Sequence, residues 1–254
     1  GRYAEVAREM LLSGDWVTPQ LNFSVFLNKP PLPYWLTALT FSVTGQTEYA
    51  RVWEAIVGLL LIFVTTELGR TLANWRSGLL AGVVLRTSGG FFLVSRLLRP
   101  DLLMTLCLSV TLLGFVKACQ SQLSQAGRVA TETQCSALES TASENAATWW
   151  LVLSAASLGV AVLTKGMVNV VLAGGVIGGM FVCFRCWTLL RHVRWLPVFG
   201  VFFMVVAPWH ILAGMRNEGF WWDYVVNQHF LFFFDKKFPR DSLPDSLTVF
   251  WGAF

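Results

Sequence analysis

Apolar residues along this chain come in long unbroken runs, each closed by a short polar cluster. A run of roughly 18 or more apolar residues is long enough to cross a ~30 Å hydrocarbon core as a helix. Several runs reach or approach that length, and six spans are predicted, over residues 50–71, 78–98, 101–117, 149–164, 167–184 and 193–207. Inside a bilayer the backbone has to satisfy its own hydrogen bonds, so each run is read as helix. The expected fold class is all-α, a polytopic membrane protein with a bundle of about six transmembrane helices.

Outside the runs the pattern changes. Residues 1–13 set Ala4, Val6, Ala7, Met10 and Leu11 on one side of a helix and Arg2, Glu5, Arg8 and Glu9 on the other, which predicts an amphipathic helix lying at a surface. Gly14 is placed to end it. Pro19, Pro30, Pro31 and Pro33 exclude regular helix from 15 to 33, and the aromatic-rich stretch Tyr34–Val43 reads as a short interfacial helix. Between Cys119 and Thr148, Ser, Thr, Ala, Gln and Glu replace the large apolar residues, predicting a flexible cytoplasmic loop. Three regions result: juxtamembrane helices over 1–49, the membrane bundle over 50–207, and a loop over 208–254 that turns apolar again at its end. The chain opens inside a helix and closes on the start of a further span, and so reads as a piece of a longer protein.

Composition agrees with the pattern. Of 254 residues, 55% are hydrophobic and 13% charged, against the roughly 25% charged of soluble domains. An ordinary soluble domain is excluded. The net charge of +4 does not indicate nucleic acid, because the basic residues stand singly at span ends instead of in a run interleaved with aromatics. Cys107, Cys119, Cys135, Cys183 and Cys186 form no disulfide framework, and the Cys183–Cys186 spacing has no second pair to make a metal or redox site.

Lys and Arg in alternate loops set the orientation. Arg70, Arg76, Lys117, Arg128, Arg185, Arg191 and Arg194 share one side, read as cytoplasmic. The opposite face nevertheless keeps Lys29, Arg99, Lys165, Arg216, Lys236, Lys237 and Arg240. Positive charge retained there needs a reason, and an anionic ligand supplies one.

Arg99 and Asp101 flank Pro100 between two spans, where an ionised group is costly unless paired or wet. They read either as a local pair that fixes the turn or as a substrate-binding or catalytic group. Lys165 occupies a minimal turn, Leu163-Thr164-Lys165-Gly166, and Lys29 lies in Asn28-Lys29-Pro30-Pro31; each either snorkels to the headgroups or binds phosphate. His210 follows Pro208-Trp209 and His229 lies in Asn227-Gln228-His229-Phe230, and neither has a Cys or acid at ligand spacing. Arg86 lies within the second run and either snorkels or marks a pathway.

These residues stand in motifs that resemble a known family. Arg2-Tyr3-Ala4-Glu5-Val6-Ala7-Arg8-Glu9-Met10, Ser13-Gly14-Asp15-Trp16 and Asn28-Lys29-Pro30-Pro31-Leu32-Pro33-Tyr34-Trp35 are followed in order by Ser95-Arg96-Leu97-Leu98-Arg99-Pro100-Asp101, Leu163-Thr164-Lys165-Gly166, Ala207-Pro208-Trp209-His210 and Asn227-Gln228-His229-Phe230-Leu231. Across nearly the whole chain this resembles the GT-C integral-membrane glycosyltransferases of the protein O-mannosyltransferase and aminoarabinose lipid A transferase type. The resemblance implies transfer of a sugar from a polyprenyl-phosphate donor to a lipid or protein acceptor, at the periplasmic or lumenal face, with membrane lipids around it and no nucleic acid partner. It implies Asp101 as a catalytic residue, and Arg2, Tyr3, Glu5, Lys29, Arg99, Lys165, His210 and His229 as substrate-binding residues. In such enzymes an acidic pair directly precedes the Arg-Tyr-Ala-Glu stretch and supplies the base, so residues 1–254 alone are expected to be inactive. The sequence departs from the family pattern at Asn28, where an acid usually precedes the lysine, at Phe232 and Phe233, where an arginine usually follows the histidine, and at Arg86. No cofactor is expected; a divalent metal stays open without a residue set that supports it.

A transporter or flippase for an anionic polyprenyl-linked lipid would also hold basic groups in a membrane cavity, but it predicts repeated halves, and the chain has no internal repeat. The orientation is testable by labelling single cysteines at Ser13 and Gln125 in intact vesicles. The two are expected to react from opposite sides, and labelling from the same side would overturn the assignment.

Overall fold

The structure is a computed structural model that describes residues 1–129, 137–184, 193–231 and 234, with the side chains of 47, 123–144, 183–184 and 229–230 outside the described set. It consists of helices, with one small hairpin. Helix α1 is Arg2–Ser13. Strands β1, Gln20–Leu21, and β2, Ser24–Val25, pair antiparallel with Leu21 opposite Ser24. Helix α2 is Leu32–Thr44 and a 3-10 turn covers Thr47–Arg51. Then come α3 Val52–Leu72, α4 Trp75–Thr87, α5 Gly89–Val94, α6 Asp101–Val129, α7 Ala137–Lys165, α8 Val168–Phe184 and α9 Trp195–Arg216, with a π-helical segment at Trp222–Leu231.

Among the described residues four helices are long and apolar enough to cross a membrane: Glu48–Leu72, Asp101–Gln122, Asn145–Lys165 and Trp195–Arg216. The other two predicted spans differ from the expectation. The second is divided at Ser88, whose extended backbone (φ −66°, ψ 126°) separates α4 from α5. Gly89 and Gly90 follow directly, and glycine is a poor helix former. Arg86 accordingly lies in the last turn of α4, exposed and not buried at mid-span. The fifth is α8, an apolar helix of 17 residues. Large side chains such as Leu59, Phe63, Leu80, Val84, Phe203 and Met204 point outward, as a lipid-facing surface requires.

Two boundaries read from composition are corrected. Cys119–Val129 and Ala137–Thr148 are not loop but the ends of α6 and α7, and Cys119, Ala147 and Thr148 are buried. Ala and Gln there are good helix formers, so a polar composition does not exclude helix. The last span does not stop at Ala207 either: α9 runs on to Arg216 with Pro208 inside it.

The helices pack by small residues at the crossings. A Cβ on Gly78 would lie 2.5 Å from the Thr66 carbonyl, which fixes how close α4 comes to α3. A Cβ on Gly114 would meet the Ser154 hydroxyl and lie 2.7 Å from the Trp150 carbonyl, where α6 crosses α7. Ser154 Oγ donates to the Thr111 carbonyl at 2.9 Å across the same crossing. At the far end of the bundle Lys117 joins Glu67 at 2.8 Å, Glu67 also pairs with Arg70, and the Lys117 ammonium lies over the Trp150 ring.

Above the other end sits a layer made of α1, the hairpin and α2. Val6, Met10 and Tyr34 pack together, as do Ala7, Ala38, Phe41 and Ala50. Gly14 ends α1 in the left-handed conformation, φ 69°, as the sequence predicts. The hairpin turn puts both Asn22 (φ 54°) and Phe23 (φ 60°) at positive φ, the geometry of a tight two-residue turn and a costly one for a bulky side chain. The buried Glu9 carboxylate accepts both turn amides, from Asn22 at 2.7 Å and from Phe23 at 3.0 Å. Such charge-assisted bonds, about 1.5–3 kcal/mol each, offset backbone strain of about 1–3 kcal/mol per residue.

This layer is tied to the last span. Arg216 pairs with Asp15 at 3.1 Å, the Trp209 indole donates to the Val17 carbonyl at 2.9 Å, and Asn217 donates to Thr18 at 3.1 Å. Residues 1–49 and 208–231 therefore meet at one end of the bundle.

Replacing Gly114 by Val is expected to lower stability in detergent by about 1–3 kcal/mol, the usual cost of overpacking. Gly175→Val, where an added Cβ meets nothing within 4 Å, serves as the control. Thermal unfolding of both proteins reads the difference, and equal stability would remove the close crossing from the account.

Candidate functional site

Two turns meet at the layer end of the bundle. Ser95–Pro100 leads from α5 into α6, and Gly166–Met167 separates α7 from α8. Asp101 opens α6 and Lys165 closes α7, and the Lys165 ammonium contacts Asp101 Oδ1 at 2.5 Å. Their positions follow the helix dipole rule, a carboxylate at an N-terminus and a cation at a C-terminus. The pair is not sealed: the side chains keep 32% and 40% of their surface. A half-exposed pair of this kind is worth little to folding. It is open to exchange with a ligand, since a Lys ammonium has three N–H donors and is not held by a fixed fork.

Each turn is held from inside the bundle by a fully buried polar side chain. Asn169 Nδ2 donates to the carbonyls of Ala161 at 2.7 Å and Gly166 at 3.0 Å, closing the end of α7. Gly166 takes φ 93°, which only glycine adopts without strain. Glu54, in the first turn of α3, accepts the Arg99 amide at 3.1 Å. Thr37 and Trp53 stitch α2 to α3 below the site through an indole donation of 3.1 Å.

Tyr3 comes to the same place from α1. Its ring stacks on Tyr34 at 5.4 Å. Burial pushes the Tyr3 phenol above its ordinary range and the negative Asp101 adds to the effect, while Arg2 and Arg99 oppose it. Burial likewise raises Tyr34, with Tyr3 adding to it and Arg2 opposing it. Both phenols stay protonated as donors at neutral pH. Asp101 and Lys165 are thus in contact, and Tyr3 lies within electrostatic reach of Asp101, Arg2 and Arg99, with the Arg99 side chain exposed.

The other predicted residues are placed differently. Glu5 is engaged within α1 by Arg8, whose side-chain hydrogen bond holds the carboxyl below the usual range against the opposing effect of burial. Lys29 is half-buried in the connection between β2 and α2. The neighbouring Asn28, where the family pattern usually has an acid, accepts from Gln228 Nε2 at 2.5 Å, so the amide joins this connection to the π-helical segment. His210 is buried in an aromatic group with Trp209, Phe220 and Tyr224. Its Nδ1 donates to the Val206 carbonyl at 2.8 Å, which leaves Nε2 in the neutral ring to accept from the Tyr224 hydroxyl at 3.2 Å. His229 lies in the π-helical segment, with its side chain outside the described residues. Lys236, Lys237 and Arg240 also lie outside them. Among the described residues no group of three or more His, Cys, Asp or Glu side chains is arranged to hold a metal ion.

Sequence reading missed Glu54 and Asn169. Glu54 carried a usable signal, a carboxylate inside an apolar run. Asn169 carried none, because its value comes from two carbonyls that the turn brings to it, and Tyr34 stood in a motif without a role of its own.

Comparison with known proteins adds a second line. Residues 28–131 match the family model described as dolichyl-phosphate-mannose-protein mannosyltransferase. The undecaprenyl phosphate-alpha-4-amino-4-deoxy-L-arabinose arabinosyl transferase of Pectobacterium carotovorum is 26% identical over 98% of this chain and 40% of its own length. An uncharacterized protein of Aquifex aeolicus is 29% identical over 69% of this chain and 31% of its own. The crystal structure of ArnT from Cupriavidus metallidurans bound to undecaprenyl phosphate superposes with a TM-score of 0.76 at 26% identity, covering 91% of this chain and 39% of that one. The apo form of the same protein gives 0.75 at 28% identity, covering 90% and 39%. The chain thus spans about two-fifths of the length of the arabinosyl transferase relatives it matches.

Asn169→Ala removes the donor that closes α7 and is expected to cost about 1–3 kcal/mol, the penalty for a buried acceptor left without its partner. Asn169→Asp, similar in shape but without either N–H, is expected to lose as much. Thermal unfolding in detergent tests this, and a neutral Asn169→Asp would show that the two carbonyl contacts carry no weight.

Proposed function

This chain is a relative, in sequence and in fold, of the GT-C integral-membrane glycosyltransferases, and on that footing we propose that it forms the membrane-face portion of an enzyme that moves a sugar from a polyprenyl-phosphate donor to a lipid or protein hydroxyl. The observation that carries the reading is the half-exposed Lys165–Asp101 pair, set at the ends of two spans beside Tyr3. Likeness to an ArnT crystal structure bound to undecaprenyl phosphate supports the same class of donor. The protein it forms part of is proposed to lie in an inner or plasma membrane, with this face periplasmic or lumenal.

A polyprenyl tail keeps its donor in the bilayer, because each buried CH₂ is worth about 0.8 kcal/mol. Its phosphate therefore reaches only groups at the interface, which is where the bundle keeps its charges. In the transfer, the acceptor oxygen forms a bond to the anomeric carbon as the bond from that carbon to the phosphate oxygen breaks. The electron pair stays on the phosphate, and the hydroxyl proton passes to a carboxylate. Lys165, Lys29 and Arg99 are proposed to stabilise the negative charge that grows on the departing phosphate. Asp101 holds the Lys165 ammonium in place and offers a carboxylate oxygen to a sugar or acceptor hydroxyl. Tyr3, protonated, donates a hydrogen bond at the same place, and Arg2 adds positive charge. Glu5 and His210 are proposed to support the walls of the site through α1 and the aromatic group, and His229 is proposed as a substrate-binding residue on the family resemblance.

The test reconstitutes the full-length protein in proteoliposomes with polyprenyl-phosphate sugar and a hydroxyl acceptor. Asp101→Asn is expected to lower transfer by about 10²–10⁴-fold with the fold retained. Lys165→Ala and Lys29→Ala are expected to weaken donor binding, each by roughly 10-fold or more, the scale of one charged hydrogen bond. Lipid flipping without transfer would favour the transporter, and full transfer by Asp101→Asn would remove this carboxylate from the mechanism.

A further inference from the structure

Glu54 has no part in the reaction just described, yet it is fully buried, with no surface exposed, in the first turn of a membrane-spanning helix. The residues next to it on α3, Trp53 and Val57, belong to a buried apolar cluster with Leu102 and Leu103 of α6, and the Asp101 charge lies within electrostatic reach. A carboxyl group in such surroundings is expensive and marks a function by default. Only one of its oxygens is engaged. Oε1 accepts the Arg99 amide at 3.1 Å, and Oε2 has no hydrogen-bond partner.

The place of that bond gives its meaning. Around the turn into α6, the backbone hydrogen bonds stop at Leu97, whose amide donates to Val94, and resume at Met104, which donates to Pro100. Pro100 has no N–H to offer. Leu98 packs against two buried clusters, and among the described residues the hydrogen bond that ties this stretch to the bundle is the Arg99 amide on Glu54. Two residues later α6 begins with Asp101, whose carboxylate meets Lys165.

We infer that Glu54 is a positioning residue: by holding the Arg99 amide from inside the bundle, it fixes where α6 begins and so sets the Asp101 carboxylate against Lys165. With no exposed surface it touches no substrate, and it acts only through the turn. This inference rests on the reading that the Lys165–Asp101 pair is part of the transfer site.

The test compares Glu54→Gln with Glu54→Met in the full-length protein. Both fill the space, but only Gln keeps an oxygen to accept the amide. Glu54→Gln is expected to retain most of the transfer. Glu54→Met is expected to lower kcat roughly 10–100-fold, the scale of a reacting group displaced by about 1 Å, with donor KM little changed and thermal unfolding intact. Acting through Asp101, it should add little to Asp101→Asn in the double variant. A readout that needs no activity is acetylation of Lys165 by acetic anhydride, followed by mass spectrometry. Lys165 should label faster in Asp101→Asn and in Glu54→Met, and at the wild-type rate in Glu54→Gln.

If the wild type transfers no sugar, the glycosyltransferase reading fails while the labelling still decides the role of Glu54. Wild-type labelling in a folded Glu54→Met, or effects of Glu54→Met and Asp101→Asn that multiply, would overturn the inference. Should Glu54→Met fail to fold, Glu54→Gln labelling as fast as Asp101→Asn would overturn it as well.

Discussion

Hydrocarbon has nothing to offer a polar group, and the architecture of this chain follows from that constraint. Backbone amides are satisfied within helices, and charged side chains are pushed to helix ends or into pairs. Helix ends in a bundle are brought side by side, so charges that are far apart in sequence collect at the two faces. At one face Glu67 pairs with Arg70 and Lys117 and joins α3 to α6, at the rim of an open cavity that Gln120 and Trp150 also line. At the other, the Lys165–Asp101 pair joins the ends of α6 and α7 and stays half-exposed. Both faces therefore keep charge within reach of water, the first on one helix pair and the second on the next.

The layer makes the second face specific. Helix α1 brings Tyr3 within electrostatic reach of Asp101, and its geometry is held by buried contacts, Tyr3 and Met10 with Tyr34 and Glu9 with the hairpin turn. Glu9 shows how a buried carboxylate is tolerated, with both oxygens bonded to amides. Glu54 is the contrasting case, with one oxygen bonded and one idle. Asn169 completes the set by closing α7 under Lys165. The site is thus supported by side chains that never reach its surface.

Much of this was legible in the sequence, because hydropathy and turn chemistry act locally. The apolar runs placed four membrane-length helices, the 1–13 pattern placed α1, and Gly14 placed its end. Asp101 and Lys165 stood out because a charge at a span end asks for an explanation. Where the reading missed, the cause was tertiary. Residues 119–129 and 137–148 look like loop by composition, but α6 and α7 run on through them. The break at Ser88 lies inside an apolar run, which hydropathy cannot divide. His210 is legible as a candidate from its motif, but the use of its ring nitrogens by Val206 and Tyr224 is not. The support from Glu54 and Asn169 depends on carbonyls and amides whose neighbourhood only the fold creates.

The strap between Asp15–Thr18 and the end of α9 has a consequence for biogenesis. Its partners are separated by about two hundred positions of chain: Asp15 waits for Arg216, Val17 for Trp209 and Thr18 for Asn217. In a nascent chain these three contacts cannot form until the span that ends at Arg216 has been made. Closing so long a stretch costs more chain entropy than a local contact does. The layer already rests on α3 through Thr37 and Trp53, so a chain stalled before α9 keeps that seat and lacks only the strap.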